Sequence, residues 1–125
     1  MSARDDVCNL IAAYAQALDD GRNDDVVATF TSDGTFEIVG TSTHTGTDAL
    51  RAAYDSWTPK VPQRHVVTNT LIYESSDAAV RASSDFVFMV NGGQGWITAA
   101  VGRYDDELVR DKGEWRFHRR RATFG

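Results

Sequence analysis

Apolar residues recur along the first stretch as Val7, Leu10, Ile11, Tyr14, Ala15 and Leu18, the spacing of one face of a helix. This predicts an amphipathic helix over residues 4–20, stopped by Gly21. A short second helix follows in NDDVVATF, with Asn23 or Asp24 near its start. GTFEIV, residues 34–39, reads as a strand, and GTSTHTG as a turn-rich loop. A third helix runs through DALRAAYDSW, with Thr47 or Asp48 as its cap, and stops before Pro59. From there the pattern becomes extended. Residues 64–74, 78–91, 95–110 and 114–123 read as four long strands, with SSD, NGGQG and DKG supplying the turns. Helices followed by an antiparallel meander predict an α+β domain. Three N-terminal helices would pack on one face of a curved, mainly antiparallel sheet. Such a cone encloses space for a small molecule, or fills it with side chains.

One strand begins unusually, with RHVVTN at residues 64–69. Side chains alternate along a strand, so His65, Val67, Asn69, Leu71 and Tyr73 should share a face. That places an imidazole and the Asn69 amide beside apolar groups. At the end of the first helix, Asp19 falls about 100° from the centre of the apolar stripe, while Asp20 falls on the solvent side. A solvated acid at a frayed helix end is the ordinary reading of Asp19. A partly buried carboxylate would need a partner, and an imidazole on the inner face of a strand is a suitable one. Periodicity leaves both readings open.

At 125 residues the chain is expected to form one domain over 1–125. Its 42% hydrophobic and 25% charged content is that of a folded globular protein rather than a disordered one. A formal charge of −5 argues against nucleic acid, and the run Arg119, Arg120, Arg121 is too short to reverse this. Cys8 is the only cysteine, so no intrachain disulfide can form, and its place within the first helix reads as packing. The opening MSARDDVCNLIAAYAQALDD carries acids on both sides of its apolar run and no basic leader. Neither a signal peptide nor a membrane contact is expected, and a cytoplasmic location is. His44, His65 and His118 fit no ligand spacing, so no metal is expected. NGGQG joins two strands instead of opening a helix, which speaks against a phosphate-binding cofactor loop. Ser83 and Ser84 sit mid-strand, outside any nucleophile-elbow pattern.

The segments YAQALDDGRNDDVVATFTSDGTFEIVG, TGTDALRAAY, RHVVTN and GRYDDELVRDKGEWRFHRR together resemble the SnoaL-like branch of the nuclear transport factor 2 (NTF2-like) superfamily. The resemblance covers nearly the whole chain and implies a cone-shaped α+β fold. Within the superfamily the pattern is most similar to scytalone dehydratase and hexachlorocyclohexane dehydrochlorinase. These enzymes use an Asp–His dyad, with the Asp at the end of the first helix and the His at the start of a strand. The resemblance implies that Asp19 and His65 are that dyad, His65 removing a carbon-bound proton and Asp19 orienting the ring. Tyr14 falls where the dehydrochlorinase has a pocket lysine, and Arg120 where it has a pocket arginine. Tyr14 could thus bond a substrate carbonyl or leaving hydroxyl, and Arg120 a negative or departing group. Asn69 is a further substrate-binding candidate. The strand that would carry the dehydratase's second histidine reads RASSDFVF.

The reading that follows is a cofactor-independent, dehydratase-like lyase acting on a small, mainly apolar molecule. One alternative is a ketosteroid-isomerase-like proton shuttle, with Glu37 as the carboxylate to watch. Another is a domain whose cone binds a ligand without changing it. Self-association is also expected, because the meander presents a broad sheet face outside the cone. The resemblance implies a dimer, with a trimer as the alternative.

Overall fold

The computed structural model describes residues 2–125. Ser2 begins the first helix by accepting a hydrogen bond from the Asp5 backbone at 3.2 Å, and Asp5 and Asp6 complement the positive end of the helix dipole. This helix, α1 (Ala3–Asp19), buries Val7, Ile11, Tyr14, Ala15 and Leu18 on one face. Its end is fixed by two crossed backbone bonds. Gly21 N–H donates to the Leu18 carbonyl at 3.2 Å and Arg22 N–H to the Ala17 carbonyl at 2.9 Å. Gly21 sits at φ +71°, the left-handed conformation this cap requires. The cap makes Asp19 the last helical residue.

Two further helices follow, α2 (Asn23–Ala28) and α3 (Thr47–Ser56). The strands are β1 (Phe30–Ile38), β2 (Ser42–Thr45), β3 (Gln63–Ser75), β4 (Ala79–Asn91), β5 (Trp96–Asp111) and β6 (Glu114–Phe124). They form one sheet in the order β2-β1-β6-β5-β4-β3. The β1–β6 pairing is parallel and the others are antiparallel, so the sheet is mixed. Helix α1 lies against β3 and β6, and α3 against β1 and β2. The inner face of the sheet and the helices enclose the core, in which Tyr14 meets Phe30, Tyr54, Tyr104 and Phe117 edge-on. Small side chains keep part of this space open. At Gly102 an added Cβ would lie 2.5 Å from Cζ of Phe86 and 2.6 Å from the Thr123 carbonyl oxygen, so a bare backbone is needed for that ring to lie flat.

Three expectations are corrected. GTSTHTG is not all loop: Ser42–Thr45 pairs with β1 as an edge strand, in which His44 lies opposite Phe36. Its alternation is among polar residues, so it carries no apolar signal. The first strand begins at Phe30 rather than Gly34, across an irregular pairing with β6 between Phe30 and Thr35. The third concerns β3. His65 and Val67 face inward, but Asn69, at φ +55°, sits in a bulge that shifts the pairing with β4 between Thr68 and Leu71. One extra residue reverses the side chains that follow it, as far as a second shift between Ile72 and Glu74. Thr70 and Ile72 therefore take the inner positions, and Leu71 and Tyr73 are exposed.

Candidate functional site

The last turn of α1 and the first residues of β3 meet at Asp19 and His65. Asp19 Oδ1 lies 2.7 Å from His65 Nδ1, and Asp19 Oδ2 accepts from the His65 backbone N–H, also at 2.7 Å. Gln63, one pleat earlier on the same face, donates from Nε2 to Oδ1 at 3.2 Å. The carboxylate thus accepts three hydrogen bonds while its side chain is only 5% exposed, which is how a buried acid is kept at acceptable cost. A carboxylate can only accept, so His65 Nδ1 must carry the hydrogen. The bare nitrogen of a neutral ring is then Nε2. Phe88 stacks on the imidazole at 4.5 Å between ring centres and fixes its plane. Asp20 points away, 3.4 Å from Arg22 at the surface.

His65 and Gln63 line a cavity of about 500 Å³ whose other walls are mainly apolar, among them Leu18, Phe36, Trp57, Phe86 and Phe88. Ala99, Ala100 and Ala122 are among the small residues of its lining. Tyr14 of α1, Tyr54 of α3 and Tyr104 of β5 also line it. The Tyr14 and Tyr54 hydroxyls are 2.6 Å apart. Burial pushes the Tyr14 phenol up to about 12 and the Tyr54 phenol well above its ordinary range, so both remain protonated donors.

The other candidates fall outside this wall. Arg120 is fully buried, directly opposite Asp106 across β5 and β6, with Nε 3.1 Å from Oδ1. The contact is an ion pair without hydrogen-bond alignment. Its guanidinium lies 3.5 Å from the Tyr104 ring centre and 4.3 Å from that of Tyr14, so it sits behind the tyrosines and not among the lining residues. Burial pushes the Asp106 carboxyl up to about 6, against the pull of Arg120. Asn69 is exposed and donates to Asp85 Oδ2 at 2.9 Å, because the bulge turns it off the face of His65. Glu37 follows the cavity residue Phe36 but points to the other face of β1, where it pairs with Arg119 at 2.8 Å and Arg121 at 3.3 Å.

Gln63 and Tyr54 were missed from sequence. Gln63 was legible in principle, two residues before His65 and on the same face of the strand. Tyr54 shares the buried face of α3 with Leu50, a spacing that reads equally as plain core.

A family model described as SnoaL-like domain matches residues 1–121. No curated protein matches the chain in sequence. Among solved structures, a Mycobacterium tuberculosis protein of unknown function superposes with a TM-score of 0.88 at 28% identity, over 95% of this chain and 69% of that one. A candidate scytalone dehydratase from Novosphingobium aromaticivorans gives 0.85 at 19%, over 98% and 83%. LinA gives 0.85 at 21%, over 98% and 86%. The last two likenesses establish the fold, which is described for another neighbour as NTF2-like and cystatin-like.

Proposed function

The chain belongs to the SnoaL-like domain family, and on that premise we propose that it is a cofactor-independent lyase, dehydratase-like, acting on a small and mainly apolar molecule. The observation that carries the reading is the doubly bonded Asp19–His65 pair at the wall of an apolar cavity. His65 Nε2 takes a carbon-bound proton, and the imidazolium that forms is held 2.7 Å from the Asp19 carboxylate. The hydrogen on Nδ1 stays where it is. The electron pair of the broken C–H bond forms the new double bond as the leaving group departs on an adjacent carbon. The protonated ring then returns its proton to the departing hydroxyl, releasing water, or to solvent if an acid is lost. No electron carrier is needed. Apolar walls exclude water and strengthen each of these electrostatic contacts.

The neighbours described as a candidate scytalone dehydratase and as LinA lend this reading support through the fold. An isomerase reading through Glu37 finds none, since that carboxylate is tied to two arginines away from the cavity. The test is a screen of small cyclic alcohols, ketones and halides for loss of water or acid, repeated with His65→Ala. Turnover lost in His65→Ala and kept in Glu37→Gln supports the lyase. Saturable binding with no turnover across the screen would assign the cavity to binding alone.

A further inference from the structure

The side-chain amide of Gln63 has only one way round in which it can sit. Its Nε2 lies 3.2 Å from Asp19 Oδ1, and a carboxylate accepts hydrogen bonds without donating any. Turned over, the amide would press its own oxygen against Oδ1, two acceptors with no hydrogen between them. Asp19 cannot swing to suit a turned amide, because the His65 backbone N–H and ring hold it at 2.7 Å each. The nitrogen of Gln63 is thus committed to the carboxylate, and its oxygen, Oε1, occupies the other arm of the amide. Gln63 is only 8% exposed and lines the cavity. No donor among the described residues reaches Oε1, yet Oε1 is not one of the oxygens sealed in the interior. The fold therefore orients an acceptor beside the dyad and leaves it unused.

From this geometry we infer that Gln63 is a specificity-determining residue, whose Oε1 accepts a hydrogen bond from a hydroxyl or N–H of the molecule bound in the cavity. The inference rests on the lyase reading for its chemistry and names the substrate class of that site. The substrate is mainly apolar and carries a hydrogen-bond donor close to the carbon that gives up its proton. Gln63 and His65 stand one pleat repeat apart on the same face, so donor and carbon are separated by roughly 7 Å or less. A ligand with an ether oxygen in the donor's place would leave Oε1 without a partner in a drying cavity, and it is rejected for that reason. Gln63 serves the reaction in a second way, since the hydrogen bond that orients its oxygen also steadies the carboxylate behind His65. It is a positioning residue toward Asp19 and a recognition residue toward the ligand.

The probes are 2-naphthol and 2-methoxynaphthalene, measured by titration calorimetry. Both oxygens can accept a hydrogen bond, but only the naphthol can donate one. Neither probe has a leaving group beside a removable C–H, so binding is read apart from chemistry. The ether is the more apolar of the two, so the readout is the affinity ratio, naphthol over ether, compared between proteins. Gln63→Met keeps the length of the side chain without its amide, and the ratio should fall about tenfold. In Asp19→Asn the Gln63 amide turns over and offers N–H to the cavity, so the ratio should fall there as well. His65→Ala keeps the backbone N–H and Gln63 on Asp19, and the ratio should hold. In wild type, the carbon-13 signal of the Gln63 side-chain carbonyl should move with naphthol and stay in place with the ether. A ratio unchanged in Gln63→Met overturns the inference, as does a ratio that falls only in His65→Ala or an absence of naphthol binding. If Gln63→Met does not fold, the wild-type carbonyl signal decides, and an equal response to both probes overturns the inference. Elimination in the substrate screen with an unchanged ratio would end this inference alone, and a fallen ratio without elimination would end the lyase reading alone.

Discussion

Replacing Asp19 by asparagine exchanges a group that only accepts hydrogen bonds for one that accepts at one atom and donates at the other. The carboxylate now faces three donors: the His65 backbone N–H at Oδ2, and His65 Nδ1 and Gln63 Nε2 at Oδ1. An amide can be placed in two ways. With its NH2 toward the backbone N–H, two donors confront each other, and a buried N–H is orphaned at about 1–3 kcal/mol. With its oxygen there instead, the NH2 faces the ring and Gln63. Gln63 can turn its own amide to accept, and His65 can present Nδ1 as an acceptor by moving its hydrogen to Nε2. The second placement wins by that same margin, a ratio of roughly 5 to 150. The substitution therefore keeps the fold and reverses the tautomer. The nitrogen left for the cavity then carries a hydrogen and cannot take another proton. Turnover on a verified substrate should fall about 10²- to 10⁴-fold, the usual worth of a positioned general base. Nitrogen-15 NMR of the imidazole reads the tautomer without any substrate, once His44 and His118 are assigned by substitution. Read at a pH where the ring is neutral, wild type should show the N–H at Nδ1 and Asp19→Asn should show it at Nε2. Retention of the Nδ1 hydrogen in the variant, with a native fold, would refute the reasoning.

Asp106 should make stability depend on pH. Burial lifts its carboxyl from 3.8 to about 6, so the folded protein binds that proton more tightly than the unfolded chain. The contribution is fully present below the unfolded value and is lost as pH rises through about 6. The shift corresponds to about 3 kcal/mol. Urea unfolding across this window should show the loss, and an identical slope in Asp106→Asn would assign it elsewhere. At Asn69, φ +55° suits glycine, so Asn69→Gly should be close to neutral in stability and Asn69→Ala should cost about 1–2 kcal/mol. Neither should change turnover, and a tenfold loss in Asn69→Gly would return that residue to the site. On the outer face of the sheet Val66, Val87 and Val101 lie in one cross-strand row, with Val66 and Val101 about half exposed. We propose that this row seats a second copy of the chain. Light scattering should then give about twice 13.8 kDa at micromolar concentration, falling toward the monomer in Val66→Lys, whereas a wild-type monomer ends the idea.

How much of this was legible in the sequence depended on the range over which each signal acts. The stripe of α1, its glycine stop and the four long strands are local patterns, and each appears within a residue or two of its expected bounds. The margin position of Asp19 on its helix and the inward phase of His65 were also local. Their meeting was not, because it depends on how α1 crosses the start of β3, and the resemblance supplied what periodicity could not. The bulge at Asn69 escaped because strict alternation has no means of registering one extra residue. Arg120 was expected in the pocket. It lies outside the lining, since its partner Asp106 is on another strand and is brought opposite only by sheet register. The edge strand Ser42–Thr45 is held by backbone pairing among polar residues, for which composition gives no sign.

The bulge has a consequence for how this strand can change over time. Because Asn69 resets the phase of β3, its first residues answer to the cavity and its later residues answer to the hydrophobic core under a separate alternation. Straightening the strand at position 69 with the residue kept would not merely remove a kink: it would turn Leu71 inward and Thr70 and Ile72 outward. Substitutions before the bulge, by contrast, can be sampled without disturbing the packing beyond it. Asn69 thus partitions β3 into a segment free to acquire new specificities and a segment bound to preserve the fold, and it lets one continuous strand evolve as two.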